Sequence, residues 1–213
     1  MSPRGGNAAV RAALIEAAAT LLAESGPRAV TTRRVASQVG TSTMAVYTHF
    51  SGIEALLRAV REEGFIRLAA HLAAVRRTRD PVADLTASGS AYVSNGLQNP
   101  HLYRAMFLTR QVNEGDTEVG ADVFATLVGF VQRCLDAGRF PYVADAQSGA
   151  YQCWMLTHAS VASLLAGILD PTTTATVLTA LAETCYVGFG DDRAAARASI
   201  KSGMRRQPVV AER

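Results

Sequence analysis

The chain has 213 residues and a mass of 22.5 kDa, with 49% apolar and 18% charged residues and a mean hydropathy of +0.12. That is a size for one or two domains, and the apolar content excludes a disordered chain. Seven prolines and seventeen glycines without a period exclude collagen-like order. No uninterrupted apolar run reaches the roughly 18 residues of a spanning helix. The apolar stretch after the polar segment Met1 to Asn7 is broken by Arg11, Glu16 and Glu24, unlike a secretion signal. The expectation is a soluble cytoplasmic protein that does not engage a membrane.

Cys134, Cys153 and Cys185 are odd in number and widely spaced. They read as core thiols of a reducing compartment rather than a disulfide framework or zinc ribbon. The net charge of +3 is unevenly placed. Residues 1–50 hold five arginines against two glutamates, and the remaining sixteen basic and sixteen acidic residues cancel over 51–213. The whole positive excess therefore falls in the first quarter, a footprint suited to a polyanion.

Apolar residues recur at helical spacing throughout, and no alternating strand pattern with hairpin turns is present, so the fold class is all-α. The first helix is predicted from about Asn7 to Ser25, burying Val10, Leu14, Ala17, Ala18, Leu21 and Leu22, with Gly26-Pro27 as its stop. Thr31 or Thr32 caps a short helix through Val39, which Gly40 ends. Thr41-Ser42 then caps Thr43 to Phe50. Ser51-Gly52 breaks the chain before a long helix from Glu54 to about Arg77, with inner face Leu57, Val60, Gly64, Leu68, Leu72 and Val75. Further helices are predicted near 81–96, 100–109, 118–138, 143–168, 173–189 and 191–204, with a frayed tail from Gln207 to Arg213.

The segment from Thr32 to Phe50 has the spacing of a helix-turn-helix. Ala36 is small where two helices must cross, and Gly40 suits a turn that needs positive φ. Val35, Val39 and Val46 fill the space between the helices. These residues hold the motif and leave Thr43, Met44, Ala45, Tyr47 and Thr48 on the second helix, where small and hydroxyl side chains can approach base edges in a major groove. Thr31, Thr32, Arg33 and Arg34 begin the preceding helix, within reach of phosphates.

Over Ala9 to about Val60 the sequence resembles the TetR family of bacterial transcriptional regulators. The likeness rests on the first amphipathic helix, on Thr31-Thr32-Arg33-Arg34-Val35-Ala36 with Val39-Gly40, and on Tyr47-Thr48-His49-Phe50-Ser51 followed by Glu54-Ala55-Leu56-Leu57. Thr48 stands where most members carry a second Tyr, and Ile53 where most carry a phosphate-contacting Lys. The resemblance implies DNA contacts at Thr41, Ser42, Thr43, Tyr47, Thr48 and His49, with Phe50 in the core. Thr43, Ala45 and Thr48 are the expected base readers. It also implies two domains: residues 1–53, a three-helix DNA-binding domain, and residues 54–206, a helical domain that dimerises and binds a small molecule.

Trp154-Met155-Leu156-Thr157-His158 is similar to the Trp-x-x-x-His-Gly signature of one C-terminal subgroup, with Ala159 in place of Gly. Trp154 and His158 share a helix face and suit either a cavity with a polar anchor, a core pair or a dimer seam. Tyr92, Tyr103, Met106, Phe107, Phe124, Phe130 and Tyr151 complete the candidate lining. Singly they suit core packing equally well; together they suggest an apolar effector. The expected partners are an operator duplex, that effector and a second copy of the chain. Repression is the expected mode, with activation or ligand-independent, architectural DNA binding as alternatives.

Nothing points to an enzyme. His49, His71, His101 and His158 have no metal-ligand spacing, and no nucleophile elbow, phosphate loop or dinucleotide fingerprint is present. Neither a metal nor a cofactor is expected.

Overall fold

In the computed structural model, which describes residues 3–108 and 120–206, α1 (Pro3–Ser25) buries Leu14, Ile15, Ala17, Ala18, Leu21 and Leu22. These apolar positions recur every three to four residues, and burying them is what keeps the helix in place. Their partners are Val35 and Ala36 on α2 (Thr32–Val39), Val46 and Phe50 on α3 (Thr43–Phe50), and Leu56, Ala59 and Val60 on α4 (Ile53–Ala73). Leu102 from α6 (Pro100–Tyr103) and Ala105 from the π-helical turn that continues it, Arg104–Leu108, close the same core. A single turn of 3-10 helix, Pro27–Ala29, links α1 to α2.

The other helices are α5 (Pro81–Gln98), α7 (Ala121–Asp136), α8 (Ala146–Leu165), α9 (Pro171–Gly188) and α10 (Arg193–Met204), and no strand occurs among the described residues. The all-α expectation is met. The chain divides into two compact units, Met1–Arg67 with Asn99–Gly120, and Leu68–Gln98 with Ala121–Arg213. The first unit thus includes α6 and the start of α4 as well as residues 1–53.

In the second unit α5 is buried around most of its circumference, as expected of a helix packed by α7, α8 and α10. The approach of α10 is close at Gly203, where a Cβ would lie 2.5 Å from the Ala83 carbonyl oxygen.

Several predicted ends shift. Helix α1 begins at Pro3, so Asn7 lies inside it rather than at its cap. The long helix stops at Ala73 instead of Arg77, because Thr78 is captured by the Asp84 carboxylate. The helix predicted over 100–109 is one α-turn followed by a π-turn. The helices expected from 143, 173 and 191 begin at 146, 171 and 193, each behind an aspartate. Asp145, Asp170 and Asp192 accept hydrogen bonds from Ser148 N, from Thr172 N and Thr173 N, and from Ala195 N. Residues 118 and 119 and the tail from Gln207 lie outside the described residues.

The turn of the helix-turn-helix rests on backbone chemistry. Thr31 Oγ1 accepts from Arg34 N at 3.3 Å and caps α2. At the other end Gly40 adopts φ +72°, and Thr41 N donates to Ala36 O at 2.9 Å, closing the helix by the left-handed cap that glycine favours. A Cβ at Gly40 would meet nothing within 4 Å, so substitution there strains the backbone and not the packing. Gly40→Val is expected to destabilise the first unit by about 1–3 kcal/mol. Thermal unfolding followed by circular dichroism measures this, and an unchanged midpoint would contradict the assignment.

Candidate nucleic-acid interface and the polar cluster of the second unit

Helix α3 hides two residues and presents the rest. Val46 is fully buried and Phe50 nearly so, whereas Thr43, Met44, Tyr47 and Thr48 are exposed. Met44 is 67% and Tyr47 52% accessible, large apolar surface that core packing does not explain. Ala45 and His49 are half-buried, and the His49 ring lies 6.0 Å from that of Phe50. Ser42 stands at the cap position without a side-chain bond to the helix, which leaves its hydroxyl exposed.

Thr48 differs from its neighbours. Its hydroxyl donates to Met44 O at 2.9 Å. The proton is engaged on its own helix, so Thr48 offers a partner its methyl group and oxygen lone pairs rather than a donor. At the start of α2, Arg33 and Arg34 are exposed, Thr31 is exposed and Thr32 half-buried. The predicted contact residues thus come from the beginning of α2, the turn and α3, all within the first unit. The cap residue Ser51 follows with φ +53°, a left-handed conformation rarely taken by a non-glycine residue.

Two contacts brace this surface. The guanidinium of Arg11 on α1 lies 5.1 Å from the centre of the Phe50 ring. Arg67 on α4 binds Glu16 of α1, Glu63 at 2.8 Å and Asn99 Oδ1 at 2.8 Å. Burial lowers the Arg67 pKa, but its two glutamate partners outweigh that and raise it, so the guanidinium stays charged. Neither brace was read from sequence; the spacing of Glu63 and Arg67 at i and i+4 was the available signal.

The nine residues considered for an effector cavity divide between the units. Tyr103, Met106 and Phe107 lie in the first, where the Phe107 ring sits 5.0 Å from Tyr103 and 5.7 Å from Phe65. Tyr92, Phe124, Phe130, Tyr151, Trp154 and His158 lie in the second. Among these, Tyr92 of α5 meets Trp154 and His158 of α8. Trp154 Nε1 donates to Tyr92 Oη at 3.2 Å, and Tyr92 Oη lies 3.2 Å from His158 Nδ1. The indole and imidazole stack with centres 4.8 Å apart. Burial holds the His158 pKa below its ordinary 6.5, so the ring is neutral at neutral pH. Phe124 stacks on Tyr151 at 4.5 Å, whereas Phe130 is fully buried beneath Arg77 as a core residue.

Sequence reasoning also passed over Asp84. Its carboxylate is completely buried, and it accepts hydrogen bonds from Thr78 N and Thr78 Oγ1 at 2.7 Å, Arg133 at 2.6 Å and Arg206 at 2.7 Å. A lone acid within the apolar run Pro81 to Ala87 was the signal for it. Among the described residues no cluster of His, Cys, Asp and Glu suits a metal ion.

Comparison with known proteins agrees with this geometry. The family described as bacterial regulatory proteins, tetR family, matches residues 14–60, and that described as tetracyclin repressor-like, C-terminal domain, matches residues 85–197. No curated protein matches the sequence. Among solved structures, a Rhodococcus protein of unknown function is 28% identical, covering 84% of this chain and 94% of its own at a TM-score of 0.69. A tetR-family bacterial regulatory protein from Rhodococcus is 22% identical over 95% of this chain and 98% of its own, at 0.64. RolR, solved with resorcinol, is 20% identical over 98% and 100%, at 0.60. With one family matching the helix-turn-helix and the other more than half of the chain, this protein belongs to the TetR family of DNA-binding transcriptional regulators.

Proposed function

We propose that this chain is a cytoplasmic homodimeric repressor that binds a palindromic operator through α2 and α3 and is released by a small, largely apolar effector. The observation that carries the reading is the exposed face of α3 behind a left-handed Gly40 turn. Thr43, Ala45 and Thr48 are the base readers in this proposal. Thr31, Thr32, Arg33, Arg34, Thr41, Ser42, Tyr47 and His49 position the phosphate backbone, and Met44 adds apolar contact. Residues 1–53 serve as the reading head and residues 54–206 as the regulatory part.

A methyl or hydroxyl contact discriminates bases less than a bidentate arginine does, at roughly 1–3 kcal/mol. Part of the specificity therefore comes from DNA shape. Fluorescence anisotropy with DNA from beside the gene and a scrambled control, at two salt concentrations, tests the proposal. A preference of about three orders of magnitude with a steep salt slope is expected. Thr43→Ala and Thr48→Ala are each expected to weaken operator binding by about 1 kcal/mol with melting unchanged. If both left affinity intact, the assignment of α3 as the reading helix would fail.

Self-association is supported by exposed apolar residues on two packed helices. Tyr151 and Met155 lie one turn apart on α8, and Val177 and Leu181 one turn apart on α9, each at least 40% accessible. A two-fold dimer suits an operator whose half-sites lie about 34–36 Å apart. Met155→Glu with Leu181→Glu is expected to give monomers by light scattering and to weaken operator binding more than tenfold. A persisting dimer would place the interface elsewhere.

The effector reading is supported by the Tyr92–Trp154–His158 cluster, apolar rings around a few convergent polar atoms. RolR, with the same fold, was solved with the small aromatic resorcinol. Helix α4 links the two parts: it begins in the reading head and its last turns, from Leu68, belong to the second unit. For release, the effector must bind the DNA-incompetent state more tightly than the competent one. Equal operator affinity with and without saturating effector would refute this mechanism.

A further inference from the structure

Helices α8 and α9 pack against each other, and each contributes one thiol to the contact. Cys153 of α8 is buried and Cys185 of α9 half-buried, and their side chains are hydrogen-bonded to each other. Two free thiols already in contact need little rearrangement to join. The third cysteine, Cys134 on α7, is fully buried. The regulatory reading above makes no use of these groups.

We propose that Cys153 and Cys185 form a reversible dithiol–disulfide pair that reacts with hydroperoxides, Cys185 as the attacking thiol and Cys153 as the resolving one. The more accessible position of Cys185 favours it as the first to react. The hydrogen bond with Cys153 also favours its thiolate, lowering the Cys185 pKa against the opposing effect of burial. That same bond, together with burial, keeps the Cys153 proton in place. Burial pushes the Cys134 thiol up to about 12, which leaves it unreactive.

The step balances with a hydroperoxide as oxidant. The Cys185 thiolate sulfur attacks the terminal peroxide oxygen and the O–O bond breaks. The leaving oxide takes up the thiol proton and departs as water or an alcohol, leaving a sulfenic acid. The Cys153 sulfur then attacks the Cys185 sulfur, the S–O bond breaks, and the Cys153 proton leaves with the hydroxide as water. Two sulfurs are oxidised, the peroxide is reduced, and a thiol reductant reverses the bond. Because Cys153 adjoins Trp154, the bond would tie α8 to α9 beside the Tyr92–Trp154–His158 cluster, giving the regulator a redox input.

The test uses the reduced full-length protein and hydrogen peroxide, followed by acid quenching, denaturation and alkylation with iodoacetamide. Alkylated thiols should fall from three to one, the one remaining at Cys134. Proteolytic fragments bearing Cys153 and Cys185 should appear linked, about 2 Da lighter than their sum, and dithiothreitol should restore all three thiols. In Cys185→Ser, Cys153 should keep its thiol. In Cys153→Ser, Cys185 should accumulate a sulfenic acid that dimedone traps. Three alkylated thiols after peroxide, a link to Cys134 or a disulfide between two chains would overturn the proposal. The measurements on the unsubstituted protein decide the matter even if a variant folds poorly.

Discussion

Asp84→Ala should lose about 3 kcal/mol of stability, measured by urea unfolding at neutral pH. The carboxylate is completely buried and joins three parts of the second unit: the Thr78 turn, Arg133 on α7 and Arg206 after α10. Removing it leaves two guanidiniums facing each other without their shared anion. Each arginine side chain keeps about a quarter of its surface in water, which limits the loss to the lower end for a broken buried pair. Arg206→Ala should cost less, about 1 kcal/mol, because Arg133 and Thr78 still satisfy the carboxylate. An Asp84→Ala variant as stable as the parent would show that this network is not a staple.

The same group predicts a pH dependence. Burial pushes the Asp84 carboxyl up, but the hydrogen bonds from Thr78, Arg133 and Arg206 together outweigh it and hold the pKa below its ordinary 3.8. A carboxyl with a depressed folded pKa binds its proton more readily when unfolded. Its contribution is fully present above the ordinary value and is lost as pH falls through the lower folded value. Stability measured from pH 6 down to pH 2 should therefore fall less steeply in Asp84→Asn than in the parent. Parallel curves would assign the acid sensitivity to other carboxylates.

What could be read from sequence follows from how local each constraint is. The helix-turn-helix was legible because its determinants lie within twenty residues: Ala36 at the crossing, Gly40 at a left-handed cap and Val46 inward. The caps at Asp145, Asp170 and Asp192 were equally local, and an acidic side chain before an apolar run could have placed those helix starts more closely. Asp84 was not legible in this way. Its partners stand 6, 49 and 122 residues away, and only folding brings them together. The aromatic residues show the same limit. Tyr92 and Tyr103 are near neighbours in sequence, yet one sits with Trp154 in the second unit and the other with Phe107 in the first. Spacing on a single helix revealed the Trp154–His158 pair, but not the tyrosine from another helix that bridges it.

Thr43→Glu should abolish detectable operator binding while leaving the fold intact. Thr43 is the first residue of α3 and is exposed, so the larger side chain meets no neighbour of the core. An acid in the first turn complements the helix dipole, and melting should stay level or rise by a few tenths of a kcal/mol. Facing a DNA backbone, the same carboxylate is a like charge at close range, with a cost of several kcal/mol. Stability and binding thus move in opposite directions, a result that general damage to the fold cannot produce. The matching Thr43→Lys variant separates charge from size: it should retain or strengthen non-specific binding and steepen the salt dependence while losing discrimination between operator and scrambled DNA. If Thr43→Glu bound operator as tightly as the parent in the anisotropy titration, the start of α3 would not face DNA, and the contact surface would have to be sought around Arg33 and Arg34 at the start of α2.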